Sequence, residues 1–172
     1  VYAGKAVDFR ADTVRLPHGG TAVREYLDHP GAVAVVAVAG GPASDPDLLF
    51  VRQYRYPVQE VTYEIPAGKL DRGERPSSCV RRELEEETGW RAGRVRKMLS
   101  YWPTPAFANE LIHIFTADGL RPGRFKPDED EFLEPVRLRL SRGLEMVRRG
   151  AIRDSKTVIA LLAYAKWRGK GG

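Results

Sequence analysis

The chain is poor in the side chains that carry soft-metal and redox chemistry: 172 residues contain one cysteine, two methionines and three histidines. A lone thiol excludes an internal disulfide, and Cys79 falls inside a predicted helix, where a small buried side chain is the expected role rather than a nucleophile. His18, His29 and His113 show no metal-ligand spacing, so no chemistry is assigned to them. The longest apolar run, Ala32 to Ala39, is far short of a membrane span, and the first residues show no basic-then-apolar secretory pattern. A cytoplasmic protein with no membrane partner is therefore expected. Internal repeats and low-complexity tracts are absent too, and the arginine clusters lack the interleaved aromatics of a single-strand nucleic-acid platform, so nucleic acid is not an expected partner.

What is present is one globular domain's worth of chain, 42% hydrophobic and long enough to bury a core, with a possible small appendage. A net charge of +5 and a pI near 9.5 suit an anionic partner such as a small phosphate-bearing metabolite.

Residues 1–29 alternate polar and apolar around Gly19-Gly20 and predict a hairpin with arms Val7 to Leu16 and Thr21 to Leu27. Residues 30–168 form the main domain and 169–172 a frayed tail. Within the domain, Ala32 to Ala39 predicts a strand buried on both faces, followed by strands at Leu48 to Tyr56 and Val61 to Ile65. Pro66-Ala67-Gly68 reads as a loop; a helix follows over Ser77 to Thr88, with Pro76 in its first turn and Gly89 as its C-terminal cap. Further strands are predicted at Val95 to Tyr101, Leu111 to Thr116 and Phe132 to Leu140. Then come a helix capped by Ser141 and ending at Gly150, and a last one capped by Asp154 or Ser155 and ending at Trp167. Strands interleaved with helices predict an α/β sandwich with a mixed sheet.

The predicted helix Ser77 to Thr88 carries the most specific signal. Glu83 lies three and four residues before Glu86 and Glu87, so three carboxylates share one helix side. Left alone they repel; a hard divalent cation converts that repulsion into ligation and leaves positions open for phosphate. The full pattern is Gly68, five residues, Glu74, seven residues, then Arg82-Glu83-Leu84-any-Glu86-Glu87-any-Gly89-Trp90. This resembles the Nudix box, with Trp90 where the family usually carries an aliphatic residue. A chance match at this composition is on the order of one in a million.

The resemblance implies a Nudix-type α/β/α sandwich with mixed sheet plus a small N-terminal antiparallel β appendage. It also implies metal ligation by Glu83 and Glu87, assisted by Glu86 and by the backbone carbonyl of Ala67. Mg²⁺ is the implied cofactor, with Mn²⁺ as the alternative. Arg82 and Glu74 are then braces. Ser100 to Glu110 resembles the loop after the box in ADP-ribose pyrophosphatases, with Pro105 fifteen residues beyond Trp90 and Glu110 closing it; Ala106 stands where that loop commonly has glycine.

Leu49 to Arg55 and Glu64 to Gly68 resemble the strands leading into the box of these enzymes, which implies phosphate or ribose contacts for Arg52 first and Arg55 second, on opposite faces of a regular strand. Glu64 is implied either as a substrate contact or as half of a buried salt bridge. The acidic turn Asp128 to Glu131 resembles the loop that carries the general base, placed at Glu129 with Glu131 as second choice. Tyr26, Trp102 and Phe107 are candidate surfaces for a nucleobase. The hairpin resembles the dimerising arm of these enzymes, so a homodimer is expected.

The implied reaction is hydrolysis of the pyrophosphate of a nucleoside diphosphate sugar, ADP-ribose foremost, giving AMP and ribose 5-phosphate. The alternatives are a GDP-mannose or UDP-glucose type pyrophosphatase, a non-hydrolytic ADP-ribose sensor, and an RNA-processing enzyme.

Overall fold

A computed structural model describes residues 2–4, 7–129 and 131–168; the tail expected to fray lies outside the described residues. The N-terminal appendage is a sheet of β1 (Tyr2–Ala3), β2 (Asp8–Arg15) and β3 (Thr21–Asp28), antiparallel throughout, with the turn at Gly19 (φ 90°).

The strand Ala32–Gly40 (β4) is the centre of the domain. It pairs in parallel with β10 (Ile112–Asp118), and β10 pairs antiparallel with β9 (Arg94–Tyr101). Every second residue of β4 faces one way. Val33, Val35 and Ala37 pack with Leu49 and Phe115 against Cys79, Val80 and Leu84 of helix α1 (Pro76–Thr88). Ala32, Ala34 and Val36 pack with Leu48, Phe50 and Ile114 against Leu140 and Met146 of α2 (Leu140–Arg148) and Ala160 and Leu161 of α3 (Ser155–Trp167). Helices thus cover both faces of a mixed sheet, and the unbroken apolar run of β4 is what burial on both sides requires.

The other edge of β4 is divided. Its C-terminal half pairs with the start of β5 (Asp47–Arg55), through Ala37–Leu49 and Val38–Leu48, while its N-terminal half pairs with β7 (Ala67–Lys69), through Ala32–Lys69 and Ala34–Ala67. β5 leaves β4 at this fork and continues as a hairpin with β6 (Glu60–Glu64), while β12 (Glu134–Arg139) lines its outer edge. Between the two half-pairings, Val35 donates its N–H to the carbonyl of Pro66 (2.9 Å), so the backbone is satisfied across the gap. The remaining short pair is β8 (Trp90–Arg91) with β11 (Arg121–Pro122).

Three expectations need correction. Ala67–Lys69 is a strand rather than a loop, because β4 offers it a free edge even though Ala, Gly and Lys have little strand preference. The strand predicted from Phe132 begins at Glu134, leaving Phe132 85% exposed. Ser141 is not the cap of α2: the helix starts at Leu140, and Asp45 caps it from a distant turn, accepting from the Ser141 N–H (2.8 Å) and hydroxyl (2.7 Å). Asp154 does cap α3, accepting from the N–H of Thr157 at 3.0 Å. Gly89 ends α1 in the left-handed region (φ 73°), donating to the Glu85 carbonyl.

Candidate active site

The fork opens into a cleft of about 1030 Å³, and one helix side, one hairpin and one helix start supply its walls. Such a volume accommodates a dinucleotide-sized ligand.

The first wall is α1, whose Glu83, Glu86 and Glu87 all line the cleft, as Ala67 and Gly68 do. Arg82 binds this wall together, donating to Glu83 (2.8 Å), Glu86 (3.0 Å), Glu74 (3.0 Å) and the Lys69 carbonyl (3.2 Å). Its hydrogen bond lowers the Glu74 carboxyl to about 2. Arg82 and Glu74 are thus paired, as the resemblance implies. Cys79 is buried within this wall, its thiol donating to the Lys69 carbonyl (3.3 Å), and burial with the nearby Glu74 carboxylate pushes it up to about 12.

The wall is short of positive charge. Burial pushes Glu83 up to about 7, with Glu86 and Glu131 adding to the rise and Arg82 opposing it. Burial likewise pushes Glu87 up to about 8 against the one hydrogen bond it accepts, from the Ala67 N–H (2.9 Å), with Glu83 and Glu131 raising it further. Glu83 and Glu86 lean on Arg82 and Glu87 on Ala67, and no trio of His, Cys, Asp or Glu closes into a metal cage among the described residues.

The opposite wall is the β5–β6 hairpin with the start of α3. Glu64 is 1% exposed and fully engaged. It accepts from Arg55 twice (2.9 and 2.7 Å), from the Thr62 hydroxyl (2.6 Å) and from Lys156 (2.5 Å). Burial alone would raise its carboxyl, but these partners hold it well below the usual carboxylate range. Glu64 thus forms the buried salt bridge, one of the two roles implied, and accepts from Arg55, Lys156 and the Thr62 hydroxyl.

Of the two arginines, Arg55 lines the cleft together with Gln53, and Arg52 points to the other side, donating to Glu134 at 2.8 Å. Strand alternation separates them, and Arg55 faces the site. Among the carboxylates of the acidic turn, Glu131 and Asp128 line the cleft whereas Glu129 does not; Asp130 lies outside the described residues.

Glu110 lines the cleft, 3.7 Å from the ring of His29. Pro103 of the same loop lines the cleft too, while Phe107 and Asn109 dock the appendage. Phe107 accepts from the Leu27 N–H (2.8 Å), and the Asn109 side chain accepts from the His29 N–H (2.7 Å) and donates to Asp28 (2.6 Å). Pro105, Trp102 and Phe107 stay outside the cleft, the last two being exposed, and Tyr26 donates to Asp12 on the appendage. Ala106 adopts no left-handed conformation, since among the described non-glycine residues only Gln59 does (φ 54°), so alanine fits where the loop commonly has glycine.

The aromatic rings that do line the cleft are Tyr54 and Tyr56 on the hairpin, together with Phe132; sequence reading missed them, as it missed Lys156. The signal for the tyrosines was their place beside Arg55. For Lys156 the only signal was a lysine one position into a helix whose cap was already assigned.

Residues 28–157 match the NUDIX domain. The chain belongs to the Nudix hydrolase family. It is 41% identical over 163 residues to a methanol dehydrogenase activator of Bacillus methanolicus, covering 94% of this chain and 86% of that one. To the ADP-ribose pyrophosphatase of Bacillus subtilis it is 39% identical over 163 residues, with the same coverage. The crystal structure of an ADP compounds hydrolase superposes with a TM-score of 0.81 over 99% of this chain and 91% of that one, at 23% identity, a likeness of fold.

Proposed function

We propose that the protein hydrolyses the pyrophosphate bond of nucleoside diphosphate sugars with a divalent cation, and that ADP-ribose is its substrate, giving AMP and ribose 5-phosphate. The observation that carries this reading is that one cleft has two unlike walls, one bearing the carboxylates of α1 and the other Arg55, which is held on Glu64 beside Lys156. A pyrophosphate ester needs both, a cation site for its non-bridging oxygens and fixed donors for the rest.

The α1 wall fits a hard cation. Its buried carboxylates lack a sufficient countercharge, and oxygen ligands suit Mg²⁺, or Mn²⁺ in its place. Glu83, Glu86, Glu87 and the carbonyl of Ala67 would hold it. When bound, the ion supplies charge neutralisation for the phosphates and lowers the pKa of water.

The chain's own residues do the remainder. Arg55, with two of its N–H groups on Glu64, turns its free edge to a phosphate oxygen. Glu131, within the field of Glu83 and Glu87, takes the proton from the attacking water once its loop closes. Glu110 accepts a hydrogen bond from a ribose hydroxyl, and Tyr54 with Tyr56 offers the stacking surface for the base.

Chromatography of products from ADP-ribose, GDP-mannose, diadenosine polyphosphates and nucleoside triphosphates with Mg²⁺ tests the reading. AMP from ADP-ribose at the highest kcat/KM is expected. Preference for GDP-mannose would keep the reaction and change the substrate, and pyrophosphate release from a triphosphate would overturn both. Residues 1–29 are the arm through which two subunits of this cytoplasmic enzyme pair; sedimentation of the chain as a monomer, with or without the arm, would refute that part.

A further inference from the structure

Lys156 is a buried cation on the cleft, and hydrolysis as outlined above gives it no task. Its side chain is 12% exposed, it lines the cleft at the start of α3, and it donates to Glu64 and to Asp154 (2.9 Å). Burial works against its charge, and the two carboxylates more than offset that cost. Asp154 is in turn fixed by capping α3: it accepts from the N–H (3.0 Å) and hydroxyl (2.6 Å) of Thr157, whose oxygen accepts from the Ile65 N–H at 3.0 Å. The start of α3 is thereby tied to the segment that leads from β6 into the box.

We propose that Lys156 is a positioning residue that acts through Glu64 on Arg55, holding the arginine with its free edge toward the pyrophosphate. Arg55 stands at the last position of β5, before an exposed turn, and its side chain is 45% exposed. By itself it has no reason to keep one rotamer. Its two hydrogen bonds to Glu64 fix it, and a carboxylate that is 2% exposed keeps its place and charge only if enough cation surrounds it. Arg55 provides half of that from the solvent side and Lys156 the other half from the helix side. Fork geometry does the rest: the guanidinium presents the N–H groups not spent on Glu64 to the cleft.

The inference rests on the cleft being a pyrophosphate site, and its test has one arm that does not. In the full chain, the Arg55 Nε–H signal, assigned by its loss in Arg55→Lys, is followed by NMR hydrogen exchange in wild type and in Lys156→Met. Slow exchange in wild type and markedly faster exchange in the variant is expected; equal exchange overturns the proposal whatever the substrate proves to be.

The kinetic arm uses the best pyrophosphate substrate of the panel. Lys156→Met is expected to raise KM about tenfold with kcat within about twofold, and to add nothing to KM in an Arg55→Ala background. A full further rise in that background would mean that Lys156 touches phosphate itself, and a fall in kcat with an unchanged KM would mean that it supports the carboxylate wall; either overturns the proposal. Should Lys156→Met not fold, Glu64→Gln is expected to give the same faster Arg55 exchange with Lys156 in place, and unchanged exchange there is equally decisive. If no pyrophosphate substrate is turned over, the reading of the cleft fails while the exchange arm still reports on the link from Lys156 to Arg55.

Discussion

Glu64, behind Arg55 and Lys156, and Glu87, on the α1 wall of the cleft, are 1% and 4% exposed, yet their acidities are driven apart. Burial pushes both upward; Arg55 and Lys156 pull Glu64 far down, whereas Glu87, with one backbone N–H, is left at about 8. Two buried glutamates thus differ because Glu64 has Arg55 and Lys156 in contact, whereas Arg82 on the α1 wall bonds Glu83 and Glu86 and leaves Glu87 to a backbone N–H. The wall of Glu64 is built to hold its shape. The other wall is the one proposed above to take a divalent cation from solution.

The strongest test of that contrast is to neutralise the α1 wall. Glu83→Gln or Glu87→Gln is expected to lower kcat by roughly three decades or more and weaken the dependence on divalent cation, with folding preserved as judged by circular dichroism. Next comes the base: Glu131→Gln lowers kcat by about two decades while Glu129→Gln stays within about twofold, each measured at saturating Mg²⁺. If the ranking is reversed, the acidic turn closes in a different register.

The two walls also give opposite pH responses in the metal-free protein. Carboxyls raised in the fold contribute stability that is full below their unfolded value of 4.5 and is lost as pH rises through about 7 for Glu83 and about 8 for Glu87. Glu64, lowered in the fold, contributes stability present at neutral pH and lost only in acid. Without cation, the melting temperature should therefore fall between about 4.5 and about 8; Glu87→Gln should flatten that slope, and added Mg²⁺ should restore the alkaline side. A flat profile in the wild type would dissolve the contrast. The smallest expected effect separates the two strand arginines: Arg55→Ala raises KM about tenfold and Arg52→Ala leaves it within about twofold in steady-state assays.

Local chemistry made much of this legible in the sequence. Pro76 and Gly89 bound α1 because one fits a first helical turn and the other a left-handed cap, and the spacing of Glu83, Glu86 and Glu87 fixed their common side once the helix existed. Ala32 to Ala39 announced a strand covered on both faces by having no polar residue to expose. What stayed hidden depends on partners far along the chain. β7 exists because β5 abandons half of an edge, Asp45 caps a helix about a hundred residues away, and Arg55 rather than Arg52 faces the cleft because of how that hairpin leaves the sheet. The loop from Ser100 to Glu110 shows the same limit. Its resemblance spoke of substrate, and of its residues Pro103 and Glu110 reach the cleft while Phe107 and Asn109 hold the appendage.

Gly68 carries one more consequence. A β-carbon there would sit 1.9 to 2.3 Å from the carboxyl group of Glu83, so the first letter of the box is an indentation in β7 moulded to a side chain on α1. Every other amino acid has that carbon. The gentlest change, to alanine, therefore displaces the same carboxylate that Glu83→Gln would neutralise, so that two residues fifteen positions apart share one space.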